Sequence, residues 1–183
     1  TDLATIAGEK AGILKAGAVV VPLSVLLKKD EIAYHLADSE AKAYFCFVGS
    51  PDLPMGEMGY AGFNEAATCE HFFMITPKPT DPSPIEGTMT MGQLMGGQAP
   101  TWAKRATHET DDAVIIYTSG TTGRPKGAVL NHSNLILNAM ICRDLFSTNA
   151  DDTQLIVLPL FHIFAMTCLM NAGVLVGAHN VLL

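Results

Sequence analysis

Three features of this sequence predict an α/β fold built on a mostly parallel sheet with crossover helices. Strand-like and helical patterns alternate along most of the chain, the rhythm of parallel strands joined by helices. Apolar residues make up 49 % of the 183 residues and mean hydropathy is +0.27, which suits a well-buried core and excludes a disordered tail. A Gly/Thr/Ser-rich segment at 118–127 lies between two strand-like runs, not between a strand and a helix.

Taken in order, residues 3–16 read as a helix with Asp2 as its cap, Ile6, Ile13 and Leu14 near one face, and Gly17 as its stop. Residues 18–23 form a short buried strand. Residues 28–39 return to helix, with Ile32 and Leu36 four apart, and 43–48 are again strand. The stretch 49–62 reads as turn-rich and 71–75 as a strand. Four prolines within 77–84 exclude a central strand or helix interior and predict a surface connection. Residues 89–95 suggest a short helix. Strands are expected at 113–117 and 128–130, then a helix capped by Ser133 and running to about Phe146. A strand at 155–158, a buried helix at 163–176 and a strand from Asn180 complete the pattern. There is no initiator Met, and the last residue falls inside a strand, so the chain is expected to be an excerpt.

Several function classes are excluded. A formal charge of −7 argues against a nucleic-acid surface. Cys46, Cys69, Cys142 and Cys168 have no CxxC spacing, and the histidines no HExxH spacing, so neither a zinc site nor a redox motif is indicated. Reduced, buried thiols in a cytoplasmic protein are the expectation. No Asp, Glu, Lys or Arg follows Asp152, yet Pro159, His162, Asn171, Gly173 and Gly177 break that stretch into pieces too short to span a membrane.

The chemistry is concentrated in Thr118-Ser119-Gly120-Thr121-Thr122-Gly123-Arg124-Pro125-Lys126-Gly127. Glycines let the backbone approach a ligand, successive N–H groups can form an anion nest, and the hydroxyls and Lys126 add donors and a positive charge. Hydrogen bonds to charged groups contribute about 1.5–3 kcal/mol each, so several together would hold a triphosphate. A Walker loop opens directly into a helix, whereas here Lys126 precedes Gly127-Ala128-Val129-Leu130, a strand pattern. The bland alternative is an ordinary hairpin turn, which needs only one or two permissive residues.

With these residues in view, the chain resembles the adenylate-forming superfamily of acyl-CoA synthetases, peptide-synthetase adenylation domains and firefly luciferase. TSGTTGRPKG matches its phosphate-loop signature. Leu14-Lys15-Ala16-Gly17-Ala18 with Pro22-Leu23 is similar to its earlier motif, and Pro159-Leu160-Phe161-His162 to its later "PLFH" motif. The resemblance implies that residues 1–183 are an incomplete portion of the large N-terminal AMP-binding domain, with the C-terminal lid domain absent. It implies a two-step reaction in which a carboxylate attacks the ATP α-phosphate and releases pyrophosphate. CoA thiol then displaces AMP to give the thioester.

By the same resemblance Thr118, Ser119, Gly120, Thr121, Thr122, Gly123 and Lys126 bind the ATP phosphates, with Lys126 supporting catalysis. Thr122 is the loop hydroxyl implied for Mg²⁺. Tyr117 reads as a packing residue, and Arg124 occupies a variable position. His162 and Phe161 are implied for the acyl pocket, against the alternative of a core histidine satisfied by a neighbour. "PLFH" favours an acyl-CoA ligase acting on a fatty or related aliphatic acid, with an aryl acid as the alternative. The later Glu, Asp and Lys of the family's machinery are not in this sequence, so the chain alone is expected to be inactive while its parent is an enzyme. The rival reading is a non-catalytic nucleotide-binding or interaction module. Self-association through the surfaces of an incomplete domain, and a cytoplasmic location with peripheral membrane contact in the parent, complete the expectations.

Overall fold

The computed structural model describes residues 10–99, 101, 103, 105–119 and 123–182. These fall into two compact units, one of Leu23–Ala103 and one assembled from residues 10–22 and 105–182.

In the first unit, strands β1 (Ala43–Phe47), β2 (His71–Ile75) and β3 (Met89–Thr90) pair in parallel in that order. Period-2 alternation puts Tyr44, Cys46, Phe72 and Met74 in one cluster, which Phe63 and Tyr60 join edge-on or tilted to Phe72. Helix α1 (Lys29–Asp38) adds Ile32 and Leu36 to a second cluster; its first turn is closed by Glu31 accepting from the Lys28 N–H at 2.8 Å.

The turn-rich expectation for 49–62 is corrected here: Met55–Phe63 is a helix, α2. Its glycines 56, 59 and 62 recur every three residues and are all buried. A Cβ on Gly62 would lie 2.8 Å from the Lys29 carbonyl and one on Gly59 would collide with Cys46 Sγ, so this face lets backbone approach backbone. Residues 77–84 contain no strand or helix, as their prolines require. Of 89–95, the first two residues are β3 and only Met91–Met95 is helical (α3). Thr90 Oγ1 accepts from the Gln93 N–H at 3.1 Å and Gln93 Oε1 from the Thr90 N–H at 2.8 Å.

In the second unit residues 10–15 are helical; Asp2 and Ile6 lie outside the described residues. Ile13 and Leu14 pack on a core of Val20, Ala113, Val114, Ile116, Leu135 and Met166. The helix ends at Gly17, whose φ of +75° favours glycine. The expected strand at 18–23 contracts to one parallel bridge, Val20 to Val114, with Val20 donating to Ala113 O and accepting from Ile115 N, both at 2.9 Å. The next residue able to donate to that neighbour is Pro22, which has no N–H.

Strands β4 (Asp112–Thr118) and β5 (Lys126–Asn131) form an antiparallel pair followed directly by helix α4 (His132–Phe146). Its N-cap is Asn131 and not Ser133: Asn131 Oδ1 accepts from the Asn134 N–H at 2.8 Å, while Ser133 Oγ donates to Glu109 O at 3.0 Å. Strand β6 (Thr153–Ile156) pairs in parallel with β7 (His179–Leu182). Between them the helix expected over 163–176 forms, but Ala165–Asn171 adopts a π-helical register before α5 (Ala172–Val176). Among the described residues no helix is long and apolar enough to cross a membrane. Cys46, Cys69 and Cys142 are free and buried, and Cys168 is half-buried.

Candidate functional site

The Gly/Thr/Ser-rich loop leaves and re-enters one strand pair. Thr118 opposes Lys126 and Tyr117 opposes Gly127 in the β4–β5 register, so the two ends of the motif are held together by the strand pair. Directly opposed residues share a face with about 5 Å between Cβ atoms, which puts the Thr118 hydroxyl beside the Lys126 stem at the loop's mouth. Both are exposed, as are Ser119 and Gly123. The mouth is anchored from below, because Ala113, Val114 and Ile116 of β4 are buried in the core.

Two glycines of the motif have separate reasons. Gly123 has φ +106°, where a Cβ would meet nothing within 4 Å, so backbone conformation alone selects it. At Gly127 a Cβ would come within 2.7 Å of Ile115 Cγ2 and 3.2 Å of Tyr117 Cζ. Space selects it, and it was not among the residues assigned to binding from sequence. Gly120, Thr121 and Thr122 lie outside the described residues. The segment 118–127 carries Arg124 and Lys126 and no carboxylate, a local positive patch on a chain of charge −7.

The second motif forms a turn before the π-helical segment. His162 N–H donates to Pro159 O at 2.9 Å, and His162 O accepts from Met166 N–H at 3.1 Å. The His162 ring accepts at Nδ1 from the Phe164 N–H at 3.2 Å, so in its neutral form the ring carries its proton on Nε2. The ring thus caps a helix with one nitrogen, while His162 itself is exposed and Phe161 half-buried. Ile163 and Met166, just beyond, pack with Val114 and Ile116, so this turn and the loop's root rest on one core.

A model of the AMP-binding enzyme family matches residues 11–183. The chain belongs to the AMP-binding enzyme family. This member is 32 % identical over 173 residues to the crotonobetaine/carnitine–CoA ligase of Escherichia coli O17:K52:H18 (strain UMN026 / ExPEC), across 93 % of the chain and 32 % of the relative. It therefore spans about a third of the length of the curated relatives it matches. Among solved structures it resembles the anthranilate CoA ligase AuaEII in complex with anthranoyl-AMP, with a TM-score of 0.80 and 27 % identity over 95 % of this chain and 32 % of that one. It also resembles ATP-bound MatB from Rhodopseudomonas palustris, with a TM-score of 0.73 and 25 % identity over 95 % of this chain and 31 % of that one.

In this family member one further polar residue sits close to the second motif, and nothing in the motif reading indicated it. Lys10 donates from Nζ to Leu160 O and lies 3.8 Å from Met166 Sδ. Burial lowers its pKa to about 8. A sequence signal existed: Lys10 is three and four residues before Ile13 and Leu14, on the face that packs into the core.

Proposed function

We propose that this chain is the ATP-phosphate-binding portion of an enzyme that activates a carboxylic acid as its acyl-adenylate and passes the acyl group to CoA. The observation that carries the reading is the unbroken TSGTTGRPKG loop, closed by the Thr118–Lys126 pair on an anchored hairpin in a member of this family. In the first step a carboxylate oxygen bonds to the α-phosphorus and the bond to the bridging oxygen breaks, so pyrophosphate leaves with the electron pair. The Lys126 ammonium, the Thr118 and Ser119 hydroxyls and the loop N–H groups near Gly123 would meet that growing charge. Gly120, Thr121 and Thr122 are assigned to the same task on sequence grounds. In the second step the CoA sulfur bonds to the acyl carbon and AMP leaves. Thr122, the hydroxyl assigned to Mg²⁺ on sequence grounds, lies outside the described residues.

His162 and Phe161 are proposed to border the acyl pocket, with the His162 Nε2–H as the polar group. The acid is proposed to be a fatty or related aliphatic acid. The relatives named for crotonobetaine/carnitine and for anthranilate make small polar and aryl acids the competing arms. The chain is further proposed to be a portion of a larger AMP-binding domain in a cytoplasmic protein, and to self-associate when alone. Leu137, Ile141 and Leu145 project exposed from α4, and sedimentation at rising concentration reads this directly.

The deciding experiment is carboxylate-dependent ATP–pyrophosphate exchange on this chain and on a polypeptide of the relatives' length that contains it, with fatty, betaine and aryl acids. Exchange by the long form alone is expected, and the preferred acid names the substrate class. No exchange by the long form with any acid overturns the activity. Robust exchange by the short chain overturns the view that further residues complete the machinery.

A further inference from the structure

We infer that Lys10 is a positioning residue, whose buried side chain holds the Leu160 carbonyl and thereby fixes the turn that orients His162 and Phe161. The inference rests on the proposed function only for what those two residues then do.

The physical problem starts in the sequence. Residues 10, 13 and 14 share one face of the helical stretch, and Ile13 and Leu14 occupy that face as core residues. An apolar side chain would serve equally well at position 10, yet the residue is lysine and only 8 % exposed. None of the ion pairs among the described residues involves it. A buried ammonium with no paired charge is costly unless it is hydrogen-bonded, and burial alone accounts for its lowered pKa. A lysine in that position calls for an acceptor that itself needs a donor.

The Leu160 carbonyl is that acceptor. Leu160 is 1 % exposed and sits in the turn ahead of the helix, outside any strand ladder, so its buried carbonyl requires a partner from elsewhere in the chain. Lys10 Nζ supplies it across 150 residues of sequence, with Met166 Sδ as its second neighbour. The same turn is tied at Pro159 O by the His162 N–H and at His162 Nδ1 by the Phe164 N–H. Three bonds thus converge on four residues. The one from Lys10 connects them to the segment carrying the first motif, Leu14–Ala18, and gives that motif's helix a reason to accompany the second. With the carbonyl held, the ring keeps Nδ1 as acceptor and Nε2 as the protonated nitrogen.

Lys10→Met keeps side-chain length and apolar packing and removes the donor. Removing the buried charge offsets part of the cost of leaving the Leu160 carbonyl without its donor, so the variant is expected to fold with a locally loosened turn. Amide exchange read by NMR is expected to speed up about tenfold at His162 and Met166 and to stay unchanged at Ile115. The His162 ring-nitrogen shifts are expected to move from a single tautomer toward a mixture. Unchanged exchange and unchanged ring shifts in folded Lys10→Met overturn the inference. In the unaltered chain, a nuclear Overhauser contact between the Lys10 ε-methylene and the Met166 methyl is expected, and its absence overturns the inference however the variant behaves. None of these readouts needs ATP, an acid or turnover, so failure of the proposed activity stays distinguishable from failure here.

Discussion

Along α2 the glycines at 56, 59 and 62 line a buried face, whereas Gly123, in the phosphate-type loop, is exposed and has no atom near the place a Cβ would take. The first set is selected by space. At ordinary helical dihedrals these residues clear the approach of Cys46, Lys29 and Ile32. Gly123 is selected by its φ of +106° and by nothing around it. One residue type therefore serves packing in one unit and backbone conformation in the other, and a substitution separates the two uses by which measurement it moves.

The largest effect is expected at the loop's mouth. Lys126→Ala removes a charged donor from an exposed strand position, so ATP affinity measured by titration should fall by about tenfold or more. The melting temperature should stay unchanged. A lost fold with retained affinity would reverse the division between the regions. Next comes Gly62→Ala. Alanine favours a helix over glycine by about 1 kcal/mol, but a methyl 2.8 Å from the Lys29 carbonyl overpacks by about 1–3 kcal/mol. Chemical denaturation should show net destabilisation, and a stabilised variant would show that propensity, not space, governs α2. The smallest effect is expected at Gly123→Ala, where the positive φ costs about 1 kcal/mol. That should appear as about a fivefold weaker ATP titration with little change in unfolding midpoint. An equal loss in both measurements would erase the contrast with Gly62.

The loop was readable from sequence because its requirements are local. Gly, Thr and Ser in series followed by Lys126 and a strand pattern place the motif between two strands, and the strand pair at 112–131 agrees; the phosphate chemistry stays a proposal drawn from the same residues. Helix α1 and strand β2 were readable for the same reason, since Ile32–Leu36 spacing and an apolar run need no partner to be seen. The second motif was readable as residues but not as geometry: that His162 caps its helix through Nδ1 depends on a rotamer and a turn. Helix α2 was missed because three glycines in nine residues signal turns whenever the packing surface is unknown.

Order along the chain and the class of fold therefore follow from local pattern, as does the donor set proposed for the loop: backbone preference, period and donor type are properties of neighbours in sequence. Which face of α2 touches β1, why 18–23 shrinks to a single bridge, and where the Lys10 ammonium finds an acceptor were settled by packing. Each depends on two segments far apart in the chain competing for the same space or the same hydrogen bond, and no window of sequence contains both competitors.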